Sequence, residues 1–177
     1  MRRELAIHLF SFLVLFLALT VLRHWLTPTY IALWVGGLLG TFLPDIDHLL
    51  YALYLRPHEL TSQRTRSLLA QGNLLSTLNL LATTRRERTN LLFHTAWFQI
   101  LFLLLTFWTL SSSPSLLGRG LVLAFSFHLI VDQIIDFLEI DSLQNWFWSS
   151  PVNLKKEHHV LYLVGVTLSL LGLALFL

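Results

Sequence analysis

Cysteine is absent from this chain, which excludes disulfide bonds, thiolate nucleophiles and cysteine metal ligands. Charge is also scarce: Asp, Glu, Lys and Arg supply 12% of the 177 residues, about half the share found in soluble domains. The formal net charge of +2 does not suggest a nucleic-acid partner. Hydrophobic residues make up 55% of the sequence. Together these features predict one integral membrane domain, residues 1–177, whose surroundings are membrane lipid.

Long apolar runs divide the chain into membrane spans. Because about 20 apolar residues cross a bilayer, we expect an all-α, polytopic transmembrane bundle of about five spans. The first run follows two arginines like a signal sequence, but no small-residue cleavage site follows it, so we interpret it as a retained span. The predicted spans are residues 5–22, 30–54, 91–110, 120–138 and 160–177.

The basic residues are distributed unequally between the two sides of such a bundle. Positive charge stays in the cytoplasm, so the N-terminus is predicted inside and the C-terminus outside. The outer side holds only Arg23 and Arg119. The inner side would hold Arg2, Arg3, Arg56, Arg64, Arg66, Arg85, Arg86, Arg88, Lys155 and Lys156.

The connection between the second and third spans, residues 56–90, has helical periodicity of its own. Its leucines recur at helical spacing between arginines, which predicts one cytoplasmic helix. This helix either lies in the inner leaflet or packs over the bundle. The leucines are Leu68, Leu69, Leu75, Leu78 and Leu81.

The segment "GTFLPDIDH", residues 40–48, places Asp45, Asp47 and His48 inside the second span. Ionisable groups within a membrane are costly and usually mark a functional site. Pro44 lacks a backbone N–H and should kink the helix there. Irregular backbone at membrane depth is tolerated only against protein or water, so the segment is predicted to face the bundle interior.

Other predicted spans bring similar side chains to the same, inward level. His8 lies in the first turns of span one and His94 at the start of span three. His128 and Asp132 are four residues apart in span four and therefore share a helix face, which Asp136 extends by one turn. Four spans thus deliver His and Asp to one leaflet.

A metal site and a structural polar network both remain open for these residues. Hydrogen bonds between spans often staple helices together, but usually through neutral side chains. Imidazole and carboxylate suit zinc, manganese or iron. We predict a divalent transition metal, zinc or manganese, bound by Asp45, His48, His94, His128, Asp132 and His8, with Asp47 as the catalytic base or an orienting group.

Other polar and aromatic residues have simpler interpretations. His8, close to an interface, is equally consistent with simple hydration. His24 and His58 are expected in interfacial loops, and Glu139 and Asp141 as loop charges. We further expect His158 and His159 to form a solvated flank, and Trp146 and Trp148 to lie in the interfacial aromatic belt.

These motifs resemble the YdjM-like family of small bacterial membrane-bound proteins, which are regarded as metal-dependent hydrolases. The shared features are a His in the first span, here His8; a "G-x-x-x-P-D-x-D-H" segment, here "GTFLPDIDH"; a third-span His, here His94; and "H-x-x-x-D", here "HLIVD". Around His94 the family pattern is of the Arg-Gly-x-Thr-His-Ser type, whereas this chain has "LLFHTAW". The resemblance implies a multi-pass protein of the bacterial inner (plasma) membrane.

The leading hypothesis is a membrane-embedded metal-dependent hydrolase at the cytoplasmic leaflet, acting on an ester or phosphoester of a lipid-like substrate. A metal-bound water is activated as hydroxide in such sites. The alternatives are a metal or proton transporter, which would need ionisable residues across the whole membrane, and a non-catalytic protein that keeps its polar core for packing.

Overall fold

The computed structural model describes residues 2–150 and 154–177, and of Arg2 only the backbone. Every regular element within these residues is helical, so the predicted all-α class is confirmed. Met1 and the part of the last predicted connection at residues 151–153 lie outside the described residues. The helices are α1 (Arg2–Leu22), α2 (Ile31–Phe42), α3 (Ile46–Leu50), α4 (Leu60–Ala70), α5 (Leu74–Thr83), α6 (Ala96–Ser112), α7 (Leu116–Ile140) and α8 (Lys156–Leu173).

Four helical segments among the described residues are long and apolar enough to cross a membrane, as expected for a membrane protein. They are Arg3–Leu22, Pro28–Leu55, Leu116–Ile140 and Lys156–Phe176. The third predicted span corresponds to α6, which has 17 residues and is therefore roughly 25 Å long. It begins later than predicted because residues 91–95 form a loop. A count of five spans remains a prediction.

The second membrane-length segment is interrupted at Pro44, as the sequence predicted. Helix α2 ends at Phe42 and α3 begins at Ile46, because proline cannot donate the backbone hydrogen bond that would continue the helix. A π-helical turn, Tyr51–Leu55, follows α3 directly. The break places Asp45 just before α3, whereas Asp47 lies in the first turn of α3 and is buried.

The predicted cytoplasmic helix is divided into two, α4 and α5. The chain turns at Gly72, whose φ of 71° lies in the left-handed region, where glycine has no steric penalty. The side chain of Asn73 then accepts a hydrogen bond from the Ser76 amide at 3.2 Å and caps α5. The prediction of a single helix was wrong, because the chain turns at Gly72 and Asn73 caps the start of a second helix. The inward faces carry Ser62, Thr65, Thr77 and Leu81, and the outward faces Leu60, Leu74, Leu75 and Leu78.

Helices α2 and α7 touch through their backbones. A Cβ atom on Gly36 would overlap the carbonyl oxygen of Leu117, and one on Gly40 that of Leu121. Gly120, on α7, faces the carbonyl oxygen of Leu33 in the same way. Small residues four apart permit this close approach between helices in membranes. The contact fixes the level of Asp45 against the C-terminal half of α7.

Helices α6 and α7 run antiparallel, which polar side chains along their interface demonstrate. Thr106 Oγ1 lies 2.9 Å from Ser126 Oγ near the middle of the pair. Further along, Gln133 Nε2 donates to Gln99 Oε1 at 2.6 Å, and the hydroxyl of Tyr162 from α8 donates to the same oxygen at 2.6 Å. Because of this register, His94, in the loop before α6, lies beside Asp132.

Candidate metal centre

Asp132 lies at the centre of the buried ionisable residues. Its Oδ1 is 3.1 Å from His8 Nε2 and 3.0 Å from Arg85 Nη1. Its Oδ2 is 2.9 Å from His94 Nε2 and 3.2 Å from His128 Nε2. The side chain is 1% exposed. One carboxylate therefore contacts side chains from α1, from α7 and from the connection between α5 and α6.

His8, His128 and Asp132 form a compact group, which we call the His–Asp triad. Each residue offers one ligand atom, and these three atoms all lie within 4.8 Å of one another. The two imidazole rings are stacked, with centroids 4.0 Å apart and planes inclined by 10°. Since His8 is 7% exposed, the simple hydration considered for it from the sequence is not what the structure shows.

Several polar atoms of the triad have no hydrogen-bond partner although they are buried. They are Nδ1 of His8, Nδ1 and Nε2 of His128, and Oδ1 of Asp132. Oδ1 of Asp132 is within ion-pair distance of His8 and Arg85, but neither approach has hydrogen-bond geometry. A buried polar atom without a partner costs about 1–3 kcal/mol. An ion bound by one atom from each residue would satisfy part of this set.

The residues fit a transition metal. Ligand atoms held ~2.1 Å from an ion lie roughly 3–4 Å from each other, which is the range of the contacts from Asp132 to His8 and His128. Two imidazoles and one carboxylate are a donor set of catalytic zinc and of non-haem iron sites. Three protein ligands also leave one position for water. The triad is thus able to hold a metal ion.

His94 lies between two carboxylates. Its Nε2 faces Asp132 and its Nδ1 lies 3.1 Å from Oδ2 of Asp47. Asp47 is fully buried and also accepts the backbone N–H groups of Leu92, Phe93 and His94, at 3.1, 2.6 and 3.2 Å. The loop before α6 is therefore held by the Asp47 carboxylate, and His94 connects Asp47 to Asp132.

Asp45 and His48 are close to the triad but outside it. Asp45 Oδ1 is 3.8 Å from His128 Nε2, and its side chain is 52% exposed. His48 accepts a hydrogen bond on Nδ1 from Arg88 Nε at 3.1 Å, and its ring centroid is 5.2 Å from that of His94. Of the seven predicted site residues, the structure thus brings three into the triad and arranges four around it.

Two arginines that were predicted only as cytoplasmic charges, Arg85 and Arg88, belong to this centre. Burial opposes the charge of Arg85, but the adjacent Asp132 and Asp136 outweigh it and raise its pKa above the ordinary value. Arg88 is buried, and burial lowers its pKa to about 10; it also donates to Thr84 Oγ1 at 3.0 Å and to the carbonyl of Leu81. Spacing alone could not distinguish them from the exposed Arg86.

Two predictions about the last connection were wrong. Trp146 is 2% exposed and donates its Nε1 hydrogen bond to Asp136 at 2.8 Å, so it packs in the core instead of an interfacial belt. His159 is 3% exposed and accepts the backbone N–H of Leu143 at 3.2 Å. Both are enclosed because residues 143–148 fold back under the ends of α7 and α8. Trp148 is half-exposed, and Nε1 donates to the carbonyl of Leu91.

Two cavities adjoin the centre. The larger, about 490 Å³, lies between α1, α2, α3 and the α4–α5 pair, and its lining includes His8, Asp45, His48 and Arg85. The smaller, about 190 Å³, lies on the other side of Arg85 and is lined by His94, Asp136 and Trp146 among others. His8 is the member of the triad that lines the larger cavity, and the volume of that cavity is in the range of ligand pockets.

Comparison of the chain with protein-family models, curated proteins and solved structures found no match. The likeness to YdjM-like proteins accordingly remains a prediction from the four motifs.

Proposed function

We propose that the protein is a membrane-embedded, metal-dependent hydrolase of an ester or phosphoester carried by a lipid-like substrate. The observation that supports this most is the His–Asp triad, with four unpartnered buried atoms and an adjoining cavity. In this proposal His8, His128 and Asp132 hold a zinc or manganese ion. The ion would supply a water whose pKa is lowered towards neutrality.

The surrounding residues would have supporting roles. Asp47 fixes His94, and His94 contacts Oδ2 of Asp132 through Nε2. Oδ1 of Asp132, which faces His8 and Arg85, would contact the ion. Such outer partners orient ligands and tune their basicity. Both carboxylate oxygens of Asp47 already accept hydrogen bonds from the loop before α6. We therefore assign Asp47 the orienting role and not that of the base. Asp45, exposed to the cavity, is the better-placed base for a water near His128.

The location of the centre follows the same proposal. The triad, Arg85 and Arg88 lie at the end of the bundle that carries most of the basic residues. Positive charge is retained on the cytoplasmic side, so we place the centre at the inner leaflet of a bacterial inner membrane, with the N-terminus inside. Cysteine substitutions at Arg3 and Ser113, labelled with an impermeant reagent in intact cells and inverted vesicles, would test the orientation.

Metal analysis of the purified protein tests the proposal directly. The detergent-solubilised protein should contain a stoichiometric transition metal by inductively coupled plasma mass spectrometry. His8→Ala and His128→Ala should lose it, whereas His24→Ala, a histidine outside the centre, should not. A protein free of metal after reconstitution with zinc, manganese or iron would contradict a metal site.

Activity requires a separate measurement. The metal-loaded protein should hydrolyse fluorogenic lipid esters or phosphoesters presented in vesicles. A chelator or the substitution Asp45→Asn should reduce the rate of hydrolysis. Because single catalytic proton transfers contribute about 10²–10⁴-fold, we expect a loss of at least about 100-fold for Asp45→Asn. Full metal occupancy without hydrolysis of any ester or phosphoester in the panel would argue against an enzyme.

A further inference from the structure

The larger cavity has two kinds of lining. Its ionisable residues, which lie on the side of the candidate metal centre, are Glu4, His8, Asp45, His48 and Arg85. The α4–α5 side contributes Leu69, Leu74, Leu78, Leu81 and Ala82. A ligand that matches this lining has a polar end and an apolar body. The volume of about 490 Å³ lies within the ~300–1,000 Å³ usual for ligand pockets.

The rim of the same cavity is apolar. Leu5 on α1, Phe42 and Ile46 at the proline break, and Leu74 and Leu78 on α5 all line the cavity and are also between 41% and 64% exposed. Large apolar side chains at an opening are unfavourable towards water but not towards hydrocarbon. Such an opening favours contact with lipid, from which a ligand would enter sideways.

We propose that this cavity binds the alkyl chain of a membrane amphiphile, with α4 and α5 as its wall and the polar end of the ligand at His8, Asp45 and Arg85. This inference deepens the proposed function, since the end of the chain would lie beside the triad. It commits to one occupant: a single chain bearing an ester or phosphoester head, drawn from the bilayer.

Leu78 lies at the opening of the cavity. It projects from the exposed side of α5 into the rim, and it is 55% exposed, so a larger side chain there fills the opening without entering the packed core. Leu75, on the same helix, is 74% exposed and does not line the cavity. Leu78→Trp and Leu75→Trp are thus a matched pair, one blocking and one neutral.

The test is photo-crosslinking of the full chain in phosphatidylcholine vesicles with a dodecyl phosphate that carries a diazirine at the chain end. We expect saturable labelling of residues 69–82, competed by unlabelled dodecyl phosphate, and at least a fivefold decrease in Leu78→Trp but not in Leu75→Trp. Labelling that neither saturates nor responds to Leu78→Trp would overturn the inference. Circular dichroism of both variants establishes that they are folded.

The outcome can be separated from that of the proposed function. Crosslinking needs no metal and is repeated on the Asp132→Ala variant and on chelator-treated protein. Saturable labelling of the unmodified protein, if that protein takes up no metal on reconstitution, would support the chain-binding cavity and refute the hydrolase. Metal binding and hydrolysis without saturable labelling would refute the cavity alone.

Discussion

The contact between α2 and α7 and the His–Asp triad are opposite in construction, although their nearest residues on α7, Leu121 and His128, lie only about two helical turns apart. At the contact, glycines bring two backbones together with no polar side chain involved. At the triad, side chains approach one another closely but leave several buried polar atoms without partners. One region is complete in itself, and the other is complete only with something bound.

This difference separates positioning from chemistry. The glycine contact sets the distance between the proline break and His128, so it determines whether Asp45 can reach the centre at all. The triad carries the unsatisfied groups. Substitutions in the first region should therefore reduce stability, whereas substitutions around the triad should mainly change what the protein binds.

The largest effect is expected for Asp132→Ala, which would break the separation because it acts on both properties. Removing this carboxylate leaves Arg85 buried beside two histidines without its main counter-charge, and breaking a buried ion pair costs about 3–5 kcal/mol. Metal binding should also be lost. Denaturant unfolding in detergent micelles and metal analysis measure the two effects. A variant as stable as the parent would show that the contacts of Arg85 are not structural.

A smaller loss of stability is expected for Gly40→Ala. The new Cβ atom would meet the backbone carbonyl of Leu121, which cannot move like a side chain, and overpacking typically costs about 1–3 kcal/mol. Thermal unfolding of the detergent-solubilised protein measures it.

The matched control for this substitution is Gly165→Ala on α8, where an added Cβ has no neighbour within 4 Å. Its stability should not fall, because alanine favours helix more than glycine does. Equal losses in the two variants would refute the close α2–α7 contact.

Asp47→Asn should affect the triad indirectly, because Asp47 contacts Asp132 through His94. An amide cannot accept hydrogen bonds on both of its terminal atoms, so the loop before α6 and His94 lose their fixed position. Loss of an outer partner typically lowers metal affinity about 10–100-fold. Competition titration with a fluorescent chelator measures the affinity, and Asp141→Asn, an exposed loop carboxylate, serves as control. Unchanged affinity in Asp47→Asn would contradict the orienting role.

The smallest effect is expected for Tyr162→Phe, which removes the hydroxyl that donates to Gln99 at 2.6 Å. Hydrogen bonds between membrane helices contribute about 0.6 kcal/mol on average, and the triad is not involved. Unfolding should change by about that amount while metal content stays constant. A change in metal content would show that the α6–α8 interface also positions the centre.

Particular residues show how far sequence reasoning extends. Pro44 predicted the break in the second membrane-length segment, because the missing N–H is a local property. The i, i+4 spacing predicted that His128 and Asp132 share a face, because helix periodicity is local too. His159 and Trp146 were mispredicted, since a residue in a connection is buried only if that connection folds back, which depends on residues far along the chain.

The amino-acid sequence by itself determined the all-helical class, the long apolar helices and the residue types able to bind a metal, because composition and periodicity require no distant partner. The tertiary structure decided which of those residues meet. It selected His8, His128 and Asp132, turned His48 towards Arg88, and buried Asp47 under a loop. The physical reason is that side chains converge only where helices of fixed length pack, and the α2–α7 glycines set that packing.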